Sequence, residues 1–263
     1  MKRPHILITN DDGINAEGIQ KLGQVLSENK NMYRLSVIAP ERERSAIGHA
    51  ITMHKPLRVV EVNFLHKPAL TGLSVNGTPS DCVKLAVEAI LDDVPDLVIS
   101  GINRGSNLGT DVLYSGTVSA ALEGLLLGIP SVAISLTGNG DSNSFDYAAR
   151  LISNLIPELL EGSIDASTLI NINVPVDVNN IKGVRITKLG NRRYRNAFEK
   201  RTDPRGMNYY WLAGELVEDD PEDDDCDTKA VREGYISLTP IHFQLTDFIS
   251  MPALEKLVKK INL

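Results

Sequence analysis

Apolar residues along this chain follow two rhythms. Short continuous runs rich in Ile, Val and Leu fall at positions 6–8, 35–39, 57–62, 96–100 (DLVIS), 131–135 (SVAIS) and 169–174 (LININV). Runs that do not alternate with polar residues belong to strands buried on both faces, as in a parallel sheet. Between them the apolar positions take helical spacing. Ile19, Leu22, Val25 and Leu26 share a face within 14–29, and Val83, Val87, Ile90 and Leu91 share one after Pro79. Further helices are expected over 117–127 and over 144–160, the latter disturbed near Pro157. Thr78 is the expected N-cap of the second helix, with Pro79 as its first residue and Asp81 at its third position. This alternation predicts an α/β fold, a doubly wound and mostly parallel sheet, over residues 1–175. Beyond it the rhythm changes. Strands are expected over 183–189, 208–217 and 235–239 and a terminal helix over 252–261, so residues 176–263 read as an extension of β-hairpins and helix. Exposed hairpins and terminal helices often dock on a second subunit, so the extension is a candidate oligomerisation element, in a homodimer or homotetramer.

The chemistry gathers where strands end. The first run closes in Asn10, Asp11, Asp12 and Gly13, which places adjacent carboxylates at the carboxyl end of a strand, the edge where open α/β sheets bind ligands. The two repel each other, and a hard cation relieves that repulsion with oxygen ligands. The plainer reading is a turn and a helix N-cap, which Asp also favours. The 101–116 stretch, GINRGSNLGTDVLYSG, reads as a long polar loop after another strand. It matches neither GxGxxG nor GxxxxGK[ST]. It offers Asn103, Ser106 and Asn107, and Asn103 brings an amide oxygen towards Asp11 and Asp12 if the two strands are neighbours. Ser115, Gly116 and Thr117 open a helix, whose free N–H groups and dipole favour phosphate, although most such starts are ordinary caps. A third loop, 41–45, follows the second strand. Its Ser45 is an uncharged oxygen ligand or a phosphate contact, against the alternative of a solvated loop. Asn10 joins Ser106, Asn107 and the 115–117 segment as a candidate phosphate or substrate contact. His49, four residues past Ser45, is a candidate phosphate contact or general acid, or else a structural histidine.

Composition narrows the functions. The formal charge of −7 argues against binding nucleic-acid polymers, whose backbones want a positive surface. Cys82 and Cys226 form no CxxC pair, no HExxH is present, and no apolar run approaches a membrane span, so a cytoplasmic protein is expected. The 218–227 stretch is acidic at eight of ten positions but lacks EF-hand spacing and reads as a mobile solvated loop. An acidic pair, two oxygen-rich loops and a helix start on one edge fit a metal-assisted phosphomonoesterase. The alternatives are a nucleotide- or phosphate-binding sensor without turnover and, more weakly, a metal-dependent glycosyl or nucleotidyl transferase.

The same residues resemble a known family. NDDG, APERERSAIGHAIT, NGTPSDCV, PDLVISGINRGSNLGTDVLYSGTVSAALEG, RTDPRGMNYYW and GYISLTP, in this order over nearly the whole chain, are similar to SurE, the stationary-phase survival protein family of nucleoside monophosphate phosphatases. The resemblance implies a Rossmann-like core with a C-terminal extension that swaps between subunits. It implies a nucleotidase acting on nucleoside 5′- and 3′-monophosphates, with possible action on short polyphosphate. It implies one divalent metal ion per subunit, Mg²⁺ or Mn²⁺, on Asp11, Asp12, Ser45 and Asn103, with Asp11 and Asp12 also catalytic. Ser115, Gly116 and Thr117 match the phosphate-holding segment, and Ser106 and Asn107 lie in the matching glycine loop. Three departures stand out, the first being Glu17 in place of a common Pro. Ala46 occupies a position where the family usually has Gly, and His242, Phe243 and Gln244 stand where it usually carries an Asp before Leu-Thr.

Overall fold

The computed structural model describes residues 3–28, 32–66, 69–162, 165, 167–196, 198–217 and 225–261. The first strand, β1 (His5–Thr9), is buried throughout. Ile6 and Ile8 enter the core on one face of the sheet and Leu7 the core on the other, which is why HILIT reads as a continuous run. Helix α1 (Glu17–Glu28) and strand β2 (Arg34–Pro40) follow. Next come β3 (Val59–His66) and β4 (Ala69–Val75), an antiparallel pair. The sequence pattern foresaw a strand near β3 but not β4, whose ALTGLSV mixes small and polar residues. Helix α2 (Pro79–Leu85) starts on the expected cap: the Thr78 hydroxyl accepts from the Asp81 N–H, and the Asp81 carboxylate accepts from the Thr78 N–H. The core continues through β5 (Leu97–Arg104), α3 (Gly116–Leu126), β6 (Ser131–Leu136), α4 (Ser142–Leu160) and β7 (Leu169–Val174). Helix α4 runs through Pro157 rather than breaking there.

Among the described residues nine strands form one sheet, in the order β3-β4-β2-β1-β5-β6-β7, then β13 (Ile236–Ile241) and β8 (Val184–Ile186). From β4 to β7 the pairs are parallel, so the sheet is mixed but mostly parallel, as expected. Strand order reverses direction at β1, with β2 on one side and β5 on the other, and this is the point at which open sheets bind ligands. Apolar residues of α1 and α4 cover one face. Residues of α2 and α3 cover the other.

The C-terminal stretch differs from a simple appendage. Its β13 pairs antiparallel with β7 and parallel with β8, so it extends the main sheet. The expected strand over 208–217 is two strands. These are β11 (Asn208–Leu212), paired with β10 (Phe198–Thr202), and β12 (Glu215–Val217), paired with β9 (Arg193–Arg195). Helix α5 (Asp227–Arg232) precedes β13, and α6 (Met251–Val258) carries no buried residue. Residues 218–224 of the acidic stretch lie outside the described residues, but its last member corrects the expectation of a solvated loop. Asp227 is fully buried and accepts from the N–H groups of Gly109 (2.8 Å) and Gly190 (2.9 Å), so it fastens the glycine-rich stretch to the extension. No helix among the described residues is long and apolar enough to cross a membrane.

Candidate active site

The turn after β1 is built by its own residues. The Asn10 amide donates to the Gly13 carbonyl (2.9 Å). Gly13 has φ +96°, and a Cβ there would meet the Arg42 backbone at 3.0 Å, so only glycine fits. Asp11 is buried, and its Oδ1 accepts the Thr117 hydroxyl from the first turn of α3. The Asp11 carbonyl accepts the Arg44 N–H at 2.7 Å, which brings the 41–45 loop to the pair. Asp12 Oδ2 accepts the Arg104 N–H at 3.0 Å from the end of β5. The neighbourhood of β1 and β5 on which the Asn103 reading depended is therefore present, with Thr9 opposite Ser100.

The 101–116 stretch is less of a loop than its composition promised. Strand β5 runs on to Arg104, with a register shift between Ser100 and Asn103, and residues Gly109–Leu113 form a 3-10 turn. Asn103 thus sits on a strand. Its amide nitrogen donates to the Gly105 carbonyl (2.8 Å), which leaves the amide oxygen as its other end. Asn107 is held more tightly. Its N–H donates to Asn173 Oδ1 (2.9 Å), its carbonyl accepts from the amides of Asn171 and Asn173, and its own amide donates to Ser135 (2.8 Å). The polar positions inside LININV therefore serve to pin this stretch. Ser106 lines a separate cavity of about 360 Å³, beside Thr137, Arg192 and Thr228.

Ser115 caps α3, accepting from the Val118 N–H at 3.0 Å. A Cβ on Gly116 would lie 2.8 Å from both Cβ and Oδ2 of Asp11, so the helix start and the carboxylate are in close approach. Ser45 is exposed and donates to Glu43 Oε1 (2.6 Å). Ala46 beside it has φ +54°, a left-handed conformation that glycine adopts without strain. A cleft of about 310 Å³ joins Asp12, Glu17, Glu43, Ser45, Arg104 and Phe145. Of the readings open to His49, its contact favours the structural one. Its Nε2 lies 2.6 Å from Glu123 Oε2, a partner whose isolated charge in the apolar GTVSAALEGLL helix was the available signal. Arg104 also escaped the sequence reading. Its guanidinium meets Glu17 at 3.0 Å and lies over the Phe145 ring.

Burial lifts the Asp11 pKa to about 6, with the Asp12 charge adding and the Thr117 hydroxyl opposing. Burial likewise raises Asp12, against the Arg104 N–H, with Glu43 adding. A pair strained towards protonation is one that a cation would favour. The donors at hand, carboxylates, an amide oxygen and a hydroxyl, are the hard oxygens that Mg²⁺ or Mn²⁺ takes. Among the described residues no group of three His, Cys, Asp or Glu is arranged to hold a metal. Thr9 Oγ1 at the end of β1, Asn10 Oδ1 just after it and Ser100 Oγ, opposite Thr9 in the middle of β5, are buried without a hydrogen-bond partner. Such orphaned oxygens fit a site that holds a cation and its water.

Comparison with known proteins places the chain in a family. The model of the family described as survival protein SurE matches residues 6–196. The chain belongs to the SurE family. Among SurE relatives, the 5′-nucleotidase SurE of Pelotomaculum thermopropionicum is 54% identical over 97% of this chain and 95% of its own. The 5′-nucleotidase SurE of Carboxydothermus hydrogenoformans is 51% identical over 98% of this chain and 97% of its own. The crystal structure of the SurE protein from Aquifex aeolicus superposes with a TM-score of 0.80 at 38% identity, covering 97% of this chain and 100% of that one.

Proposed function

We propose that this SurE-family chain is a metal-dependent phosphomonoesterase that hydrolyses nucleoside 5′- and 3′-monophosphates, with short-chain polyphosphate as a further substrate. The observation that carries the reading is the close approach of the α3 start to the Asp11–Asp12 pair, with Thr117 on Asp11 and no room for a Cβ at Gly116. That places N–H donors for phosphate oxygens beside carboxylates suited to a cation. The names of the relatives, 5′-nucleotidase SurE, point the same way.

Asp11, Asp12, Ser45 and Asn103 would hold one Mg²⁺ or Mn²⁺ per subunit. That ion supplies positive charge against the phosphate oxygens and the attacking water. The chain's own groups do the rest. Thr117 and the Arg104 N–H fix the two carboxylates, and the first turn of α3, with Ser115 and Gly116, receives the phosphate oxygens. Asn10 completes the substrate contacts and Asn107 serves by fixing the loop, whereas Ser106, on the separate cavity beside Arg192, would reach only a part of the substrate remote from the phosphate. Water oxygen bonds to phosphorus, the phosphorus–ester oxygen bond breaks, and the nucleoside leaves as an alcohol once its oxygen is protonated. The Asp11–Asp12 pair handles the water's proton as a coupled unit.

We assign residues 1–175 to catalysis in the cytoplasm and 176–263 to homo-oligomer formation. The latter rests on exposed apolar side chains. Phe198, Trp211 and Leu212 are 67%, 58% and 75% exposed, and Leu254 and Leu257 of α6 are also exposed.

The test is phosphate release from a panel of nucleoside 5′- and 3′-monophosphates with Mg²⁺ or Mn²⁺, repeated after chelation. Release that needs the metal is expected. Nucleotide bound and returned unchanged by folded, metal-loaded protein would replace the reading with a sensor.

A further inference from the structure

Glu123 is a buried carboxylate to which the proposed function gives no part. It lies in α3 among apolar residues. Its Oε2 meets His49 Nε2 at 2.6 Å and its Oε1 meets Lys84 Nζ at 3.3 Å, while Lys84 also pairs with Glu88. A carboxylate only accepts, so the imidazole carries its proton on Nε2. A buried charge is costly unless it is paired and hydrogen-bonded, and the partner from outside the α2 and α3 helices is His49.

His49 belongs to the segment that starts at Ser45. Before Ser45, the Arg44 N–H is bonded to the Asp11 carbonyl. After it, the Gly48 N–H donates to the Tyr114 carbonyl (2.9 Å), His49 reaches Glu123, and the Ala50 carbonyl accepts the Thr78 hydroxyl (2.7 Å). Thr52 then donates to the Asp81 carboxylate through its N–H and its hydroxyl. Ser45 itself is exposed and bonds to Glu43, two residues away. Its place relative to Asp11 is therefore set by the ties on either side. Among these ties, the His49–Glu123 bond joins the segment by side chains to α3, whose first turn lies on Asp11.

Resting on the reading of Ser45 as a metal ligand, we propose that Glu123, acting through His49, is a positioning residue for the cation site. It fixes the Ser45 segment to α3, so that the Ser45 hydroxyl and the helix start keep one spacing about Asp11. Partners that orient ligands from behind carry part of a site's affinity without touching the ion.

The experiment is calorimetric titration of the metal-free full chain with Mn²⁺, which needs no turnover. The proteins are wild type, His49→Ala, His49→Gln, Ser45→Ala and the Ser45→Ala/His49→Ala double variant. His49→Ala is expected to weaken Mn²⁺ binding about tenfold. His49→Gln, which keeps a donor, is expected to recover most of that loss. In the Ser45→Ala background, removing His49 is expected to add nothing, because the ligand it positions is gone. Glu123→Gln, which keeps the volume and removes the charge, serves as the second variant and is expected to weaken binding in the same sense. A purely structural bond would lower the melting temperature and leave the Mn²⁺ affinity alone, and that result overturns the proposal. So would additive losses in the double variant, or unchanged affinity in Ser45→Ala. Wild type that takes up no Mn²⁺ removes the metal reading as well. Wild type that binds while His49→Ala binds equally removes only the positioning role.

Discussion

The carboxyl edge at β1 and β5 and the 193–217 stretch break the ordinary rule of burial in opposite directions. At the edge, polar side chains are inside: Asp11, Asn107 and Thr117 are 5%, 7% and 0% exposed. In the stretch, apolar side chains are outside, Trp211 and Leu212 among them. Buried polar groups cost unless partnered, and exposed apolar area forfeits roughly 25 cal/mol per Å². At the edge most of the cost is met within the chain, by Thr117 on Asp11, by Arg104 on Asp12 and by the asparagines of β7 on Asn107. What is left over there is negative charge and three orphaned oxygens, a remainder that fits a small cation. In the hairpin the remainder is area, which another protein surface fits. The two regions are incomplete in ways that point to different partners.

The largest effect is expected from Asp11→Asn. Removing one charge of the pair should lower metal-dependent phosphate release by at least about two orders of magnitude. The same change should stabilise the metal-free protein. Asp11 has its pKa raised from 3.8 to about 6 in the fold, so the folded state holds the proton more tightly than the unfolded chain. Below the lower value both states are protonated and nothing is lost. As pH rises through the window between the two values the carboxylate increasingly destabilises the fold, by up to about 3 kcal/mol above it. With chelator present, Asp11→Asn is therefore expected to melt higher than wild type at pH 8 and level with it near pH 3. Thermal unfolding at both pH values checks the sign. A variant less stable at pH 8 would mean that the pair is built to stand without a cation.

A matched pair of glycines sharpens the contrast between the regions. At Gly116 an added Cβ meets the Asp11 Cβ at 2.8 Å and the Arg44 carbonyl oxygen at 3.2 Å, neither of them the far end of a flexible side chain. Gly116→Ala should displace the carboxylate and lower turnover about a hundredfold, since misplacement on the order of 1 Å costs that much. At Gly206, φ is +82° and an added Cβ meets nothing within 4 Å. Gly206→Ala should cost only the left-handed strain, about 1 kcal/mol, and leave turnover intact. Steady-state rates and melting of the two variants side by side give the comparison. Equal rate losses would mean that the extension shapes the site.

Much of the edge was legible because its causes are local. A continuous apolar run ending in NDDG needs only strand geometry and a glycine turn to place two carboxylates at a strand end. The Thr78 cap and the Ser115 start of α3 likewise follow from a few residues each. What escaped depends on residues far apart in the chain. The 101–116 stretch looked like a loop because asparagines and glycines favour turns, yet β6 and β7 hold part of it as strand and pin Asn107 from residues about 65 positions away. The partner of a structural His49 could not be named because Glu123 is distant in sequence, and Asp227 was lost in an acidic run whose other members gave no sign that one of them is buried. Strand β4 was missed because ALTGLSV mixes small and polar residues among its apolar ones, so no apolar run marks it.

The smallest effect on the single chain, and the one that tests the hairpin, is expected from replacing exposed apolar residues on its two faces. In the β10–β11 pair, Phe198 faces Leu212 and Glu199 faces Trp211 across the ladder. Both strands are exposed along their whole length. A two-stranded ribbon without a covering layer is marginal in water, so the proposed assembly would supply the layer that this one lacks within the chain. Trp211→Ser with Leu212→Ser removes exposed apolar area, so the monomer's own stability should move by no more than about 0.5 kcal/mol. The assembly should respond instead. Light scattering across a dilution series should show wild type as a dimer or tetramer and the double variant shifted to smaller species at the same concentration. Phosphate release per chain then decides how separate the two regions are. The edge draws its acidic pair, its helix start and the Ser45 segment from residues before 118, so turnover per chain should survive dissociation. Turnover that fell in step with the assembly would show that a neighbouring subunit completes the edge, and the two remainders would then be parts of one site.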